Sequence, residues 1–88
     1  MYQDKNVIKI SSFYLAAFLF ANGKDILTIE IVPNSKKALF VFPKNEDTEA
    51  LLQIYNFAPR NSDATLIDAR EFVNAIKLLK DKLYQNNI

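Results

Sequence analysis

Hydrophobic and polar positions divide the chain into short apolar runs separated by turn-forming residues. The stretch Val7–Ile10 favours a strand, and the unbroken apolar run Phe13–Ala21 favours a helix that is buried on every side. Ser11 or Ser12 can cap the start of this helix, and Gly23 can end it in the left-handed conformation. We therefore expect a strand followed by a helix at the centre of the fold.

The clearest local feature is a β-hairpin, formed by the apolar runs 26–32 and 38–42 around the five-residue loop 33–37. Pairing about the centre of this loop predicts that Ile31 lies opposite Leu39. One face of the hairpin is then continuously apolar. The other face is mixed, and it carries our candidate partner-binding residues, which are Thr28, Glu30, Phe40 and Phe42.

Two helices are predicted after the hairpin. Asn45 or Asp47 can cap the first, which ends before Pro59, and residues 65–67 can add a short strand. Asp68 opens the second with a capping box completed three residues later. Its core stripe recurs at spacings of four and three residues and consists of Phe72, Ile76, Leu79 and Leu83.

These elements predict one α+β domain over residues 1–88, in the order β-α-β-β-α-(β)-α. Strands and helices are mixed without regular βαβ alternation, which favours a small antiparallel sheet with a central hairpin and helices packed on one face. The composition is that of a globular domain, since hydrophobic residues make up 50% of the chain and charged residues 24%.

Several kinds of chemistry are missing from the sequence. It has no histidine, no cysteine and one glycine, so the usual general base, thiol nucleophile, zinc ligands and phosphate-binding loops are absent. The acids Glu46, Asp47 and Glu49 are clustered at a helix start, where the helix dipole favours them. We expect no catalytic residue, metal site, cofactor or small-molecule substrate, and the lack of cysteine favours a cytoplasmic protein.

The apolar run Phe13–Ala21 raises the question of a membrane segment. Its nine residues are about half of the roughly 20 that cross a bilayer. A signal-peptide core is disfavoured by Asp4 and by the strand pattern that comes before the run. We expect no membrane association.

Basic residues offer a second kind of binding surface. Lys36 and Lys37 lie on the hairpin loop, where they can contact a nucleic acid backbone or simply keep a turn soluble. The remaining nucleic-acid-binding candidates lie on the last helix and are Arg70, Asn74, Lys77 and Lys80. These can equally be a solvated face. The net charge of +1 argues against bulk duplex DNA as a partner.

The chain also resembles a known family through the segments 12–19, 39–42 and 68–80, together with Gly23. It is similar to short bacterial and phage proteins that are classed only as a domain of unknown function. The resemblance implies a phage or mobile-element setting, and it assigns no functional residue.

The function that we expect is a small non-catalytic protein–protein interaction module, either a homodimer or a small subunit or inhibitor of a larger complex. Phe40 and Phe42 carry this expectation if their face is open, although a helix of the same chain can also cover them. The alternative is a nucleic-acid-binding accessory protein, which requires the lysines of the loop and of the last helix to converge on one surface.

Overall fold

Residues 6–86, the part of the chain that the computed structural model describes, form three strands and three α-helices. The elements are β1 Val7–Ile10, α1 Phe13–Ala21, β2 Thr28–Ile31, β3 Ala38–Pro43, α2 Glu46–Phe57 and α3 Ala69–Asn86. The predicted α+β class and the order β-α-β-β-α-α are confirmed.

The sheet has the strand order β1-β3-β2, and β3 runs antiparallel to both neighbours. β1 and β2 are therefore parallel to each other, and α1 connects them across the inserted strand. This arrangement is a split β-α-β unit. It makes the second strand of the hairpin the centre of the sheet.

The register of the hairpin differs from the predicted one by a single residue. Ile31 lies opposite Ala38 and not opposite Leu39. The backbone N–H of Val32 donates to the carbonyl of Lys37 at 3.1 Å, so the loop has four residues and not five, and Asn34 within it adopts a φ of 60°. Because side chains alternate between the faces of a strand, this shift turns every side chain of β3 over relative to β2.

The core lies between one face of the sheet and the helices. Phe40 and Phe42 of the central strand are 2% and 0% exposed, and they belong to one cluster with Leu19 of α1 and Leu79 of α3. Half-buried side chains of α2, such as Leu51, pack against the same cluster. The predicted packing of helices on one face is therefore confirmed, and the predicted stripe of α3 faces this core.

The ends of α1 follow the residue types that the sequence places there. Ser12 Oγ accepts a hydrogen bond from the backbone N–H of Leu15 at 3.3 Å. At the other end, Gly23 has a φ of 89° and donates to the carbonyl of Phe20, and the next residue, Lys24, donates to that of Leu19. This pair of bonds is a Schellman motif, which satisfies carbonyls that the helix end leaves unpaired.

The connection between α2 and α3 contains no strand at residues 65–67. Instead, Asp63–Thr65 form a turn of 3-10 helix. The hydroxyl of Ser62 accepts from the N–H of Ala64, and the carbonyl of Ser62 accepts from the N–H of Thr65. Because these hydrogen bonds are local, the backbone of this segment is not available to extend the sheet.

Candidate functional site

The outward face of α3 brings together three of the residues predicted to bind nucleic acid. Arg70, Asn74 and Lys77 line an open depression of about 410 Å³ together with Ala69 and Val73. The helix presents them there because its opposite side is bound to the core through Ala75 and Leu79, which are 3% and 0% exposed. Lys80 is exposed one turn beyond Lys77.

The first turn of α3 is held by Asp68. Its carboxylate accepts from the backbone N–H groups of Arg70 at 2.8 Å and Glu71 at 3.3 Å, and it pairs with the guanidinium of Arg70 at 3.3 Å. The side-chain hydrogen bond from Arg70 and then the two backbone bonds hold the pKa of Asp68 below its ordinary value. These contacts assign Asp68 a structural role, as the sequence predicted.

The two lysines of the hairpin loop lie in a different place from most of the α3 candidates. Lys36 and Lys37 border a shallow groove with Phe13 and with Leu83 near the other end of α3. Arg70 is 13 residues before Leu83, which is about 20 Å along the helix axis. The predicted set therefore falls into two groups, one along the outward face of α3 and one at the hairpin loop.

The partner-binding face predicted from Phe40, Phe42, Thr28 and Glu30 does not exist as one surface, and this expectation was wrong. The one-residue shift in register puts the two phenylalanines in the core and leaves Thr28 and Glu30 on the opposite face of the sheet. There, Glu30 pairs with Lys9 at 3.2 Å. Since β1 and β2 flank β3, this ion pair crosses over the central strand.

Two large apolar side chains that sequence reasoning missed flank the connection between α2 and α3. Phe57 is 75% exposed and Leu66 is 74% exposed. The signal for Phe57 was present in the sequence, because its position on α2 points about 120° away from the core residue Leu51 at 100° per residue. For Leu66 no periodic signal exists, since it lies in irregular backbone.

Comparison with known families places the chain in a group. A family model described as "Domain of unknown function (DUF5659)" matches residues 5–85. The chain belongs to this family. The resemblance predicted from the sequence, to a family classed only as a domain of unknown function, is thereby confirmed. No curated protein and no solved structure matches the chain.

The described part of this DUF5659 domain contains neither a cluster of metal-binding side chains nor a helix that could span a membrane. No group of three or more acids among residues 6–86 is arranged to hold a metal ion. No helix in the same range has both the length and the apolar character needed to cross a membrane. The exposed surfaces in this range include the outward faces of the helices and the connection between α2 and α3.

Proposed function

We propose that this protein is a non-catalytic protein–protein interaction module. The observation that carries the proposal is the exposure of Phe57 and Leu66, which leave about three quarters of their side chains in contact with solvent. Burying a side chain of this size contributes roughly 1.5–3 kcal/mol, so leaving two of them exposed forgoes a large part of the stability of a small domain. A protein partner that covers them recovers this energy on binding.

Two further exposed aromatic residues support the same proposal. Tyr14 and Tyr84 are 60% and 65% exposed, and tyrosine is enriched at protein interfaces because its ring is apolar and its hydroxyl is polar. The sequence has no histidine or cysteine for side-chain chemistry, which supports the non-catalytic part of the proposal. A cytoplasmic location and a phage or mobile-element setting belong to the proposal as well, on the lack of cysteine and on the family resemblance.

The test is binding to a reconstituted partner. A partner captured from the host is purified and titrated calorimetrically with the wild-type chain and with Phe57→Ser and Leu66→Ser. We expect each variant to weaken binding at least about tenfold, because each removes an apolar contact of roughly 1.4 kcal/mol or more. Leu78→Ser, which removes an exposed leucine of α3 outside the connection, is the control. Equal affinities for all four chains would refute the proposal.

A second candidate function, nucleic-acid binding, is favoured by one observation. Arg70, Lys77 and Lys80 follow one side of α3 at spacings of seven and three residues, so three cations lie along this side of the helix, with the acid Asp81 next to Lys80. Such a line can contact successive phosphates. The measurement is the affinity for short oligonucleotides between low and high salt. The candidate requires affinity to fall steeply with salt and to be lost in Lys77→Glu/Lys80→Glu.

A further inference from the structure

Two exposed helix faces of this protein have opposite charge. The outward side of α2 carries Glu46 and Glu49 in its first turns and Phe57 at its last residue, with Gln53 between them, and all four are exposed. The outward side of α3 carries Lys77, which borders the depression together with Ala69 and Val73, and one turn further it carries Lys80 with the acid Asp81 beside it. One face is therefore acidic with an apolar end, and the other is basic in net charge and has a hollow whose apolar residues are Ala69 and Val73.

The spacings on the two faces match when the helices run antiparallel. Glu46 and Glu49 are three residues apart, as are Lys80 and Lys77. Phe57 lies eight residues from Glu49, which is about 12 Å along the axis, and Ala69 lies eight residues from Lys77. Aligning the two glutamates with the two lysines thus brings Phe57 over the hollow at the start of α3.

A parallel alignment does not give the same fit. It pairs Glu46 with Lys77 and Glu49 with Lys80, but it carries Phe57 past the end of α3. The antiparallel alignment also places the amino end of α2 beside the carboxyl half of α3, which is the favourable arrangement of two helix dipoles. Only the antiparallel alignment therefore uses both the charges and the exposed aromatic ring.

We infer that the partner of this module is a second copy of the same chain, with α2 of one copy packed antiparallel on α3 of the other. Phe57 of one copy fills the hollow lined by Ala69 and Val73, while Glu49 faces Lys77 and Glu46 faces Lys80 of the other. The inference rests on the proposed function, since it names the partner that covers Phe57. Formation of both α2–α3 pairs at once gives a twofold dimer.

The decisive experiment uses two charge-reversed chains. In Glu46→Lys/Glu49→Lys both faces are basic, and in Lys77→Glu/Lys80→Glu both faces are acidic. Each chain alone therefore places like charges opposite each other, and we expect its dissociation constant to rise at least about tenfold over the wild type. A mixture of the two restores opposite charges at both α2–α3 pairs, because the basic α2 of one chain meets the acidic α3 of the other and the two unchanged faces meet at the second pair. Sedimentation equilibrium of each chain and of the mixture measures the association, and the mixture is expected to associate more tightly than either chain alone.

Two controls separate this contact from effects of net charge and of damaged folding. Asp25→Lys and Lys44→Glu change charge at exposed positions outside the two faces, and they are expected to leave self-association unchanged. Circular dichroism of every variant reports whether the fold is kept. The mixing experiment is itself a control for folding, because two damaged chains do not regain affinity when combined.

The possible outcomes differ clearly. Monomers at all concentrations up to the millimolar range, or two reversed chains that do not associate when mixed, would overturn the inference. If a reconstituted host protein still loses affinity for Phe57→Ser in that case, the proposed function stands with a different partner. If instead Lys77→Glu/Lys80→Glu abolishes oligonucleotide binding and mixing restores nothing, the basic face serves nucleic acid, and the second-copy contact is wrong.

Discussion

Gly23 shows how a single residue ends an element of this fold. Its φ of 89° lies in the left-handed region, and a Cβ added there meets nothing within 4 Å. The cost of Gly23→Ala therefore comes from the backbone alone, and we expect a loss of about 1 kcal/mol in the free energy of unfolding. Gly23→Asn is the matched control, because asparagine tolerates this conformation better, and it should lose less. Chemical denaturation of the three chains checks both values, and an unchanged Gly23→Ala would contradict the role of Gly23.

Protonation of Asp68 makes the stability of the fold depend on pH, through the start of α3. Its folded-state pKa is lowered by the side chain and backbone N–H of Arg70 and by the N–H of Glu71. A lowered folded-state pKa means that the carboxylate stabilises the fold at all pH values above its unfolded pKa of about 4, and that this stabilisation is lost as the pH falls through the folded-state value. The effect is small, since Asp68 is exposed and solvent screens its interactions.

For Asp68 we predict that the wild type and a variant that does not titrate lose different amounts of stability at acid pH. Asp68→Asn keeps an acceptor for the backbone N–H groups but does not titrate, so the unfolding free energy of this variant should fall less than that of the wild type between about pH 5 and pH 2. Denaturant titrations across this range measure both. Parallel pH profiles for the two chains would show that the cap is not linked to protonation.

At the scale of elements, the sequence predicts the helix ends, because these depend on local pattern. It does not predict the register of the hairpin, because this depends on the length of the loop by a single residue. The helix ends at Ser12, Gly23 and Asp68 follow from residue types whose hydrogen bonds are made within a few positions. The faces of β3 depend instead on whether the loop has four or five residues. Nothing in the apolar pattern decides this, because the residues of β3 are apolar on both faces.

The candidate partner-binding site failed for the same reason. A loop of five residues places Phe40 and Phe42 beside Thr28 and Glu30, whereas the four-residue loop puts them in the core. The outward face of α3 was predicted better, because a helical period of 3.6 residues places Arg70 without reference to any loop. The exposure of Phe57 follows from the same period on α2, but the pattern does not show that nothing else in the fold covers the ring.

The register has a consequence that mutation can measure. Phe42 is fully buried on the core face, whereas Leu39 is half-buried on the other face of the same strand. We expect Phe42→Ala to lower the unfolding free energy by about 3–5 kcal/mol and Leu39→Ala by about 1 kcal/mol. Thermal and chemical denaturation give both numbers. The five-residue loop would put Leu39 on the continuous apolar face, so a larger loss at Leu39 than at Phe42 would mean that the register is wrong.

At the scale of the whole molecule, the net charge of +1 conceals a separation of charge. Acids occupy the outward side of α2, and on the outward side of α3 the bases Arg70, Lys77 and Lys80 outnumber the acid Asp81. Two such molecules attract each other in one set of orientations and repel in others, although neither carries much charge in total. Charge complementarity then selects the alignment, and the burial of Phe57 supplies most of the affinity.

These two contributions respond differently to salt. Exposed ion pairs are screened when the Debye length falls from about 30 Å at 0.01 M to about 3 Å at 1 M ionic strength, whereas apolar burial is not weakened by screening. We expect self-association of the wild type to weaken as salt rises. Glu46→Gln/Glu49→Gln should associate less tightly at low salt and show almost no salt dependence. Phe57→Ser should associate less tightly at every salt concentration and keep the wild-type slope.

Sedimentation equilibrium at several salt concentrations separates the three chains. A salt slope that survives in the glutamine variant would place the charge contact at other acids of the described surface, such as Asp25 and Asp63, which lie outside α2.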